Sequence, residues 1–223
     1  MIVWIRELLT PGELATLVHG LSTAEFDSGR RTAGVLNRPV KENVELRNDW
    51  QAKERLDQIV LEALQRNQTF EIAARPKKII APIFNRYGPG MYYGSHLDNA
   101  IMDREDRTRV DLSITLFLSG PDAYDGGELV IETEYGPRTV KLPAGDAVVY
   151  PTIYYHEVKP VTRGERYACI TWIQSLVRDI HKRQILYDMS VLAEWIHAQA
   201  PGSPQFRQFS KIQMNLYRIW ADD

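Results

Sequence analysis

The 223-residue sequence lacks the features that mark several common classes of protein. Its single cysteine, Cys169, excludes an internal disulfide and a thiolate-rich metal cluster, and it fits a reducing compartment. No stretch approaches the roughly 18 apolar residues of a membrane-spanning helix. Internal repeats and low-complexity segments are also missing. We therefore expect a soluble globular protein with no membrane partner.

A marked excess of either charge is missing as well. The 27 basic and 29 acidic residues give a net charge of -2, so there is no electrostatic reason to expect nucleic acid as a partner. The first residues, Met-Ile-Val-Trp-Ile-Arg-Glu, do not show the basic-then-apolar pattern of a secretory signal. We predict a cytoplasmic location and no nucleic-acid partner.

Helical patterns occur near both ends of the sequence. Leu14, Leu17, Val18 and Leu21 follow a capping-box pattern at residues 10–13, and residues 56–64 form a second apolar stripe that ends near Asn67. Two further stripes follow residue 178, separated by Pro201-Gly202-Ser203-Pro204. The first two helices are expected to cover a sheet. The stripes of the tail are expected to pack on the sheet or on a second subunit.

The middle of the chain has the pattern of a sheet. Short runs rich in β-branched and aromatic residues recur between glycine- and proline-containing turns, which is typical of a β-sandwich or barrel. The predicted strands are residues 79–87, 111–119, 128–133, 138–142, 147–150, 156–161 and 167–176. The predicted class is α+β, with a helical cap, a β core and a helical tail.

His96 and Asp98 are separated by one residue. In an extended strand this spacing puts the imidazole and the carboxylate on one face, within reach of a common ion. A third ligand must come from another strand, and His156 is the candidate. Two neutral imidazoles and one carboxylate suit Fe(II) and leave open positions for a bidentate co-substrate and dioxygen.

Arg166 lies ten residues after His156, at the start of an apolar strand. A guanidinium there could hold the far carboxylate of a dicarboxylate co-substrate through a two-pronged contact. The alternative is a solvated turn residue after Gly164-Glu165.

These residues resemble those of the Fe(II)/2-oxoglutarate dioxygenases of the prolyl hydroxylase superfamily. The resemblance rests on His96-Leu97-Asp98, on Pro143-Ala144-Gly145-Asp146 leading to His156, and on Arg166. It covers essentially the whole chain.

A second motif narrows the resemblance to the bacterial PKHD-type hydroxylases, an iron-uptake-associated group named for its likeness to prolyl and lysyl hydroxylases. This motif is Gly29-Arg30-Arg31-Thr32-Ala33-Gly34 followed by Val40-Lys41-Glu42-Asn43. Glu42 departs from the pattern, because a second asparagine is expected there, so the role of the 29–47 loop is not assigned.

The resemblance implies a double-stranded β-helix (jelly roll) with N-terminal covering helices and a helical C-terminal extension. It implies a dioxygenase domain over residues 1–178, with helices in 1–74 and the β core in 75–178, and an extension over 179–223. It assigns iron to His96, Asp98 and His156, and the distal carboxylate of 2-oxoglutarate to Arg166. Tyr87 would lie beside the co-substrate, and Trp172, on the same strand face as Arg166, would line the pocket.

The implied reaction is hydroxylation of an unactivated C–H bond, with dioxygen and 2-oxoglutarate consumed and succinate and carbon dioxide released. L-Ascorbate is a further cofactor implied by the family. Because related halogenases lack the carboxylate ligand, the presence of Asp98 favours hydroxylation. The substrate is left open between peptidyl proline or lysine and a small molecule such as a siderophore, with a link to iron homeostasis.

Two other functions remain open at this stage. One is a non-catalytic sensor that binds iron and 2-oxoglutarate; the other is a zinc hydrolase with the same three ligands, which Arg166 disfavours. We interpret His19, His181 and His197 as solvated or capping residues and Cys169 as a small buried apolar residue. The charged run at residues 103–107 is a solvated loop or a lid. A homo-oligomer through the C-terminal helices is a further expectation.

Overall fold

The computed structural model describes residues 1–102 and 106–222. Its helices are α1 (Pro11–Ser22), α2 (Lys53–Gln65), α3 (Gln68–Ala74), α4 (Ile180–Gln199) and α5 (Pro204–Trp220). Its strands are β1 (Val3–Ile5), β2 (Phe26–Ser28), β3 (Lys41–Glu42), β4 (Val44–Leu46), β5 (Pro76–Ile79), β6 (Ile83–Tyr87), β7 (Tyr92–His96), β8 (Ile101–Met102), β9 (Thr108–Arg109), β10 (Leu112–Phe117), β11 (Tyr124–Gly126), β12 (Leu129–Thr133), β13 (Gly136–Val140), β14 (Ala147–Pro151), β15 (His156–Val158), β16 (Val161–Gly164) and β17 (Arg166–Ser175). Residues 103–105 of the predicted charged loop lie outside the described residues, so the lid stays a prediction.

Two antiparallel sheets form the core. The larger sheet has eight strands in the order β1-β14-β10-β17-β6-β4-β2, with β5 also paired to β17, and the smaller has the order β13-β12-β15-β7-β3. Phe117 and Tyr150 of the larger sheet pack against Leu129 and Ile131 of the smaller one. The predicted α+β fold with a jelly-roll core is confirmed.

The outer face of the larger sheet is covered by helices, as predicted. Strand β10 alternates, so that Leu112, Ile114 and Leu116 join the cluster under the helices, whereas Phe117 packs between the sheets. The helices contribute buried side chains to the same cluster: Leu17, Leu21, Leu56, Val60, Leu64 and Phe70. Helix α1 begins with the predicted capping box, in which the Glu13 amide donates to Thr10 Oγ1 at 3.3 Å.

Prolines divide two segments that were predicted as single strands. Of residues 79–87, Ile79 ends β5 and Ile83–Tyr87 form β6; both strands pair with β17 but are separated before Ile83. Residues 156–161 form β15 and the start of β16, separated at Pro160. Proline has no amide hydrogen to donate to the ladder, so pairing stops there. Helix α2 ends at Gln65, close to the predicted end near Asn67. The side chain of Asn67 accepts from the Phe70 amide at 2.8 Å and starts α3.

The N-terminal part contains strands as well as helices. Strand β1 pairs with β14, and β2 and β4 extend the larger sheet beyond β6. Strand β3 pairs instead with β7 of the smaller sheet. The segment between α1 and α2 therefore reaches from one sheet to the other, which the irregular pattern of residues 26–47 did not predict.

The C-terminal extension is helical, as predicted, but its buried face differs from the predicted stripe. Ile185 and Leu192 are 46% and 45% exposed, whereas Arg183 and Ser190 are buried. Hydrogen bonds of polar side chains help to hold the buried face of α4; for example, Arg183 donates to the Val177 carbonyl at 2.7 Å. Ile185 and Leu192 therefore do not pack on the sheet, and packing of this stripe on a second subunit stays a prediction. No helix in the described ranges has an apolar stretch long enough to cross a membrane.

Candidate active site

The three predicted metal ligands meet between the two central strands of the smaller sheet. His96 ends β7 and His156 begins β15, and the two residues are directly paired in the ladder. Asp98 follows His96 with one residue between them. One ligand atom from each side chain lies within 4.8 Å of the others, and both imidazoles are buried. Among the described residues, this is the group of histidine, cysteine and acidic side chains with the geometry to hold a metal ion.

Neighbouring groups orient each of these side chains. Nδ1 of His96 lies 2.8 Å from the Gly94 carbonyl oxygen, and Nδ1 of His156 lies 3.2 Å from that of Tyr154. A neutral imidazole bonded in this way carries its proton on Nδ1, which leaves Nε2 free to ligate. Ser113 Oγ donates to Asp98 Oδ2 at 2.6 Å and fixes the carboxylate.

Burial and charge favour the ligating form of His96. Desolvation and the neighbouring His156 lower the pKa of His96 to about 4, so the ring is neutral near pH 7. Its face is covered by Tyr93, with ring centroids 3.6 Å apart and planes inclined by 12°. The two imidazoles and one carboxylate form a donor set that suits a first-row divalent metal with open positions.

Arg166 is a buried cation that has no acidic partner among the described residues. It is 1% exposed, and its guanidinium lies 5.2 Å from the Tyr87 ring centroid and 5.4 Å from that of Phe117. No carboxylate of the described residues lies within salt-bridge distance, and Nε has no hydrogen-bond partner there. Since a buried charge without a partner is costly, this site calls for an anionic ligand.

The metal cluster and Arg166 line one cavity of about 660 Å³. Tyr87 and Trp172 line it too, as the sequence predicted. Its walls mix apolar and polar groups: Ile83, Asn85, Ile114, Thr115, Leu129, Tyr150, Val158 and Ile170. A cavity of this size falls within the range of about 300–1,000 Å³ typical of small-molecule sites.

Several residues of the site were not predicted. Ser113 and Tyr150 come from predicted strands and Tyr93 from the segment before His96, but none of them was assigned to the site. Asn37 and Lys41 come from the segment before α2. For Lys41, the signal in the sequence was the motif at residues 29–34 and 40–43, whose role was not assigned; Asn37 lies between the two parts of that motif.

The remaining histidines and the cysteine lie outside the cavity. His19, His181 and His197 are exposed on helices, in line with the structural role assigned to them. Cys169 is 1% exposed and packs in the core under the helices, where burial raises the pKa of its thiol. It behaves as a small apolar residue.

Comparison with known proteins defines the class. Residues 82–174 match the model of the 2OG-Fe(II) oxygenase superfamily. The fold is similar to that of a Pseudomonas putida prolyl-4-hydroxylase, with a TM-score of 0.55, 22% identity, and coverage of 78% of this chain and 92% of that one. Fold and site together are those of an Fe(II)- and 2-oxoglutarate-dependent dioxygenase.

Closer relatives narrow the class to a family. A PKHD-type hydroxylase of Xanthomonas euvesicatoria is 44% identical over 227 residues, and one of Bordetella pertussis is 43% identical over 225 residues. Both matches cover 100% of this chain and 100% of the relative. The chain belongs to the PKHD-type hydroxylase family, so the resemblance drawn from its motifs is confirmed.

Proposed function

We propose that this dioxygenase hydroxylates an unactivated C–H bond of a peptidyl or small-molecule substrate, with Fe(II) held by His96, Asp98 and His156. Arg166 binds the far carboxylate of 2-oxoglutarate, and Tyr87 lies beside that co-substrate. The observation that carries the proposal is the buried guanidinium of Arg166, which has no acidic partner among the described residues and lies in the same cavity as the His-Asp-His cluster.

The residues present fit these groups. One imidazole nitrogen from each histidine and one carboxylate oxygen, all within 4.8 Å of one another, match the donor set of a non-haem Fe(II) site. The planar guanidinium of Arg166 can bind a carboxylate through two parallel hydrogen bonds. A zinc-dependent hydrolysis does not need a cation at this position. When bound, iron and 2-oxoglutarate supply an oxidant for C–H bonds and release succinate and carbon dioxide.

The protein would bind the metal and the co-substrate, orient them and shield the reacting centre from water. Ser113 holds Asp98 in one rotamer, and the two backbone carbonyls hold the imidazoles, so the ligands are pre-organised. Arg166 fixes the co-substrate at the end remote from its keto group. Apolar walls such as Val158 and Ile170 limit the access of water to the reacting centre.

For the substrate we propose two classes, a peptide or a small molecule. The hydroxylase names of the relatives support a peptidyl proline or lysine, and a siderophore-like molecule linked to iron homeostasis is the small-molecule alternative. A cavity of about 660 Å³ holds 2-oxoglutarate together with one side chain or part of a small ligand. We further propose that L-ascorbate is a cofactor, that the protein is cytoplasmic and that it self-associates through α4 and α5.

Anaerobic titration with Fe(II) and 2-oxoglutarate tests the site. Wild-type protein should give the weak visible charge-transfer band of the chelate, and Arg166→Ala should need far more 2-oxoglutarate to reach it. Absence of the band in wild type, or a band unaffected by Arg166→Ala, would contradict the assignment. Succinate release under oxygen separates an enzyme from a sensor, since a sensor binds both ligands without turnover.

The substrate is tested by mass spectrometry. Candidate peptides containing proline or lysine and candidate siderophores are incubated with enzyme, Fe(II), 2-oxoglutarate and dioxygen. The expected result is the addition of one oxygen atom to one class, with an equal amount of succinate. Succinate without any oxygen addition in either class would point to a different substrate chemistry.

A further inference from the structure

The segment of residues 29–45 carries the second motif of the sequence, and the proposed function gives it no role. In the structure it lies against β7, the strand that ends at His96. Lys41 and Glu42 pair with Tyr93 and Tyr92 of that strand. We call residues 29–45 the N-terminal segment.

A buried charged cluster anchors the N-terminal segment. Lys41 and Glu45 are 4% and 5% exposed, and Lys41 Nζ lies 2.5 Å from Glu45 Oε1. Thr32 Oγ1 completes the cluster, since it receives a bond from Lys41 Nζ at 2.9 Å and donates to Glu45 Oε2 at 2.7 Å. Each group is bonded to the other two, so the ammonium has a fixed position.

That ammonium lies on an aromatic ring that in turn covers a metal ligand. Lys41 Nζ is 4.9 Å from the centroid of the Tyr93 ring. The Tyr93 ring stacks on His96 at 3.6 Å between centroids. A cation over an aromatic face is attracted by the ring quadrupole, so Lys41 opposes rotation of Tyr93, and Tyr93 opposes rotation of His96.

A second contact of the N-terminal segment involves the backbone between His96 and Asp98. Asn37 Nδ2 donates to the carbonyl oxygen of Leu97 at 2.9 Å. This bond fixes the peptide between the two ligands and hence the direction in which the Asp98 side chain leaves the strand. The N-terminal segment therefore contacts the ligand strand on both sides of His96.

Stability alone does not account for the buried pair. Replacing a buried ion pair by apolar residues is often neutral or stabilising, because desolvation of two charges offsets their attraction. What such a pair does supply is a defined position for the groups that contact it. Residues that orient metal ligands typically change metal affinity by about 10- to 100-fold when removed.

We propose that Lys41 and Asn37 are positioning residues for the metal ligands His96 and Asp98, with Tyr93 as the contact that links Lys41 to His96. This inference rests on the proposed iron site. It gives the motif of the N-terminal segment a task in the metal centre.

The test uses full-length apoprotein and Fe(II) as the probe under anaerobic conditions. The dissociation constant is measured by quenching of tryptophan fluorescence, and the position of the Fe(II)-2-oxoglutarate band is recorded. The variants are Lys41→Met with Glu45→Gln, which leaves no unpaired buried charge, and the single changes Asn37→Ala, Tyr93→Leu and Tyr93→Phe. Circular dichroism identifies the variants that fold.

The chain offers a matched control. Lys53 and Asp57 form another lysine–acid pair, in which Lys53 is buried and Asp57 partly buried, with Nζ 2.7 Å from Asp57 Oδ2 and 5.8 Å from the Phe84 ring. This pair lies on α2, and Lys53 Nζ also donates to the Pro82 carbonyl, which is part of neither β7 nor the metal cluster. Lys53→Met with Asp57→Asn therefore reports the general effect of losing such a pair.

We expect Lys41→Met/Glu45→Gln, Asn37→Ala and Tyr93→Leu each to raise the dissociation constant for Fe(II) about tenfold and to shift the band. The Lys53/Asp57 control should match wild type, and Tyr93→Phe, which keeps the stacked ring, should bind Fe(II) more tightly than Tyr93→Leu. Wild-type affinity and an unshifted band in the folded Lys41 variant would overturn the proposal. If that variant does not fold, unchanged affinity in Tyr93→Leu overturns it equally. Failure of wild type to bind Fe(II) would instead reject the proposed function.

Discussion

Replacing Arg166 by methionine should separate ligand binding from stability. The side chain is 1% exposed and has no acidic partner among the described residues, so the folded apoprotein keeps a buried charge for a ligand. Methionine keeps much of the apolar stem and removes the charge. We expect the apo variant to be at least as stable as wild type, and its affinity for 2-oxoglutarate to be strongly reduced.

The expected changes in affinity and stability follow from the surroundings of the guanidinium with 2-oxoglutarate bound and in the apoprotein. Loss of one partner of a buried, hydrogen-bonded charge pair costs about 3 kcal/mol, which is roughly a 150-fold weaker affinity for 2-oxoglutarate. In the apoprotein, relief of the unpaired charge outweighs loss of the contacts with Tyr87 and Phe117, each worth about 1 kcal/mol. The apo variant should therefore gain between about 0 and 2 kcal/mol.

Thermal unfolding with Co(II) in the metal site, a redox-inert probe, measures both effects. At a 2-oxoglutarate concentration about 100 times the wild-type dissociation constant, linkage stabilises wild type by about 2.7 kcal/mol. For a protein of this size that is an increase in Tm of about 5 to 11 °C. Under the same conditions Arg166→Met should gain only about 0.3 kcal/mol, or about 1 °C.

Arg183 is the matched control, because it is also buried but donates to the carbonyl oxygens of Val177 and Arg178. Arg183→Met should lower the Tm of the apoprotein, since both carbonyls lose a donor, and should keep the full stabilisation by 2-oxoglutarate. The reasoning is refuted if Arg166→Met unfolds well below wild type without ligand, or if 2-oxoglutarate stabilises it as much as wild type.

Three further predictions concern neighbouring residues. Ser113→Ala removes the bond to Asp98 Oδ2 and should weaken Fe(II) binding about tenfold in an anaerobic titration, with Tm nearly unchanged. Gly127→Ala places a Cβ 3.1 Å from Arg166 Cδ at a φ of +66°, and should lower both the free energy of unfolding, by about 2 kcal/mol in urea titrations, and the affinity for 2-oxoglutarate. Cys169, whose pKa is raised by burial, stays protonated, so a thiol reagent at about pH 8 should label it only in urea; rapid labelling of native protein would contradict its burial.

The sequence predicted the residues of the chemistry better than the elements that carry them. His96 and Asp98 are found by the two-residue period of a strand, which is a local property, and Arg166 by its distance from His156. Strand limits depend on pairing partners instead. Pro82 and Pro160 interrupt ladders whose partners lie far away in sequence, so residues 79–87 and 156–161 were wrongly predicted as continuous.

The exposed face of α4 shows a second limit. Hydrophobic periodicity groups Ile185 and Leu192 in one stripe of α4, yet both are about half exposed. The helix buries Leu186 together with two polar residues, Arg183 and Ser190. Their burial depends on particular acceptors and donors: the carbonyl of Val177, the guanidinium of Arg75 and the amide of Gln213. A polar side chain is buried where its bonds are satisfied, and the partners are set by tertiary structure that periodicity does not contain.

The same reasoning explains why the ligands were predicted and their supports were not. A metal ligand is recognised by its own chemistry, so His96 and His156 are visible in isolation. A positioning residue such as Lys41 or Asn37 can be recognised only by its contacts in the folded protein, and Asn37 lies 60 residues from Leu97 in sequence. The motif of the N-terminal segment was visible as a pattern, but only the pairing of β3 with β7 gives it a target. Short motifs without catalytic residue types are therefore best examined for contacts with metal ligands once a fold is known.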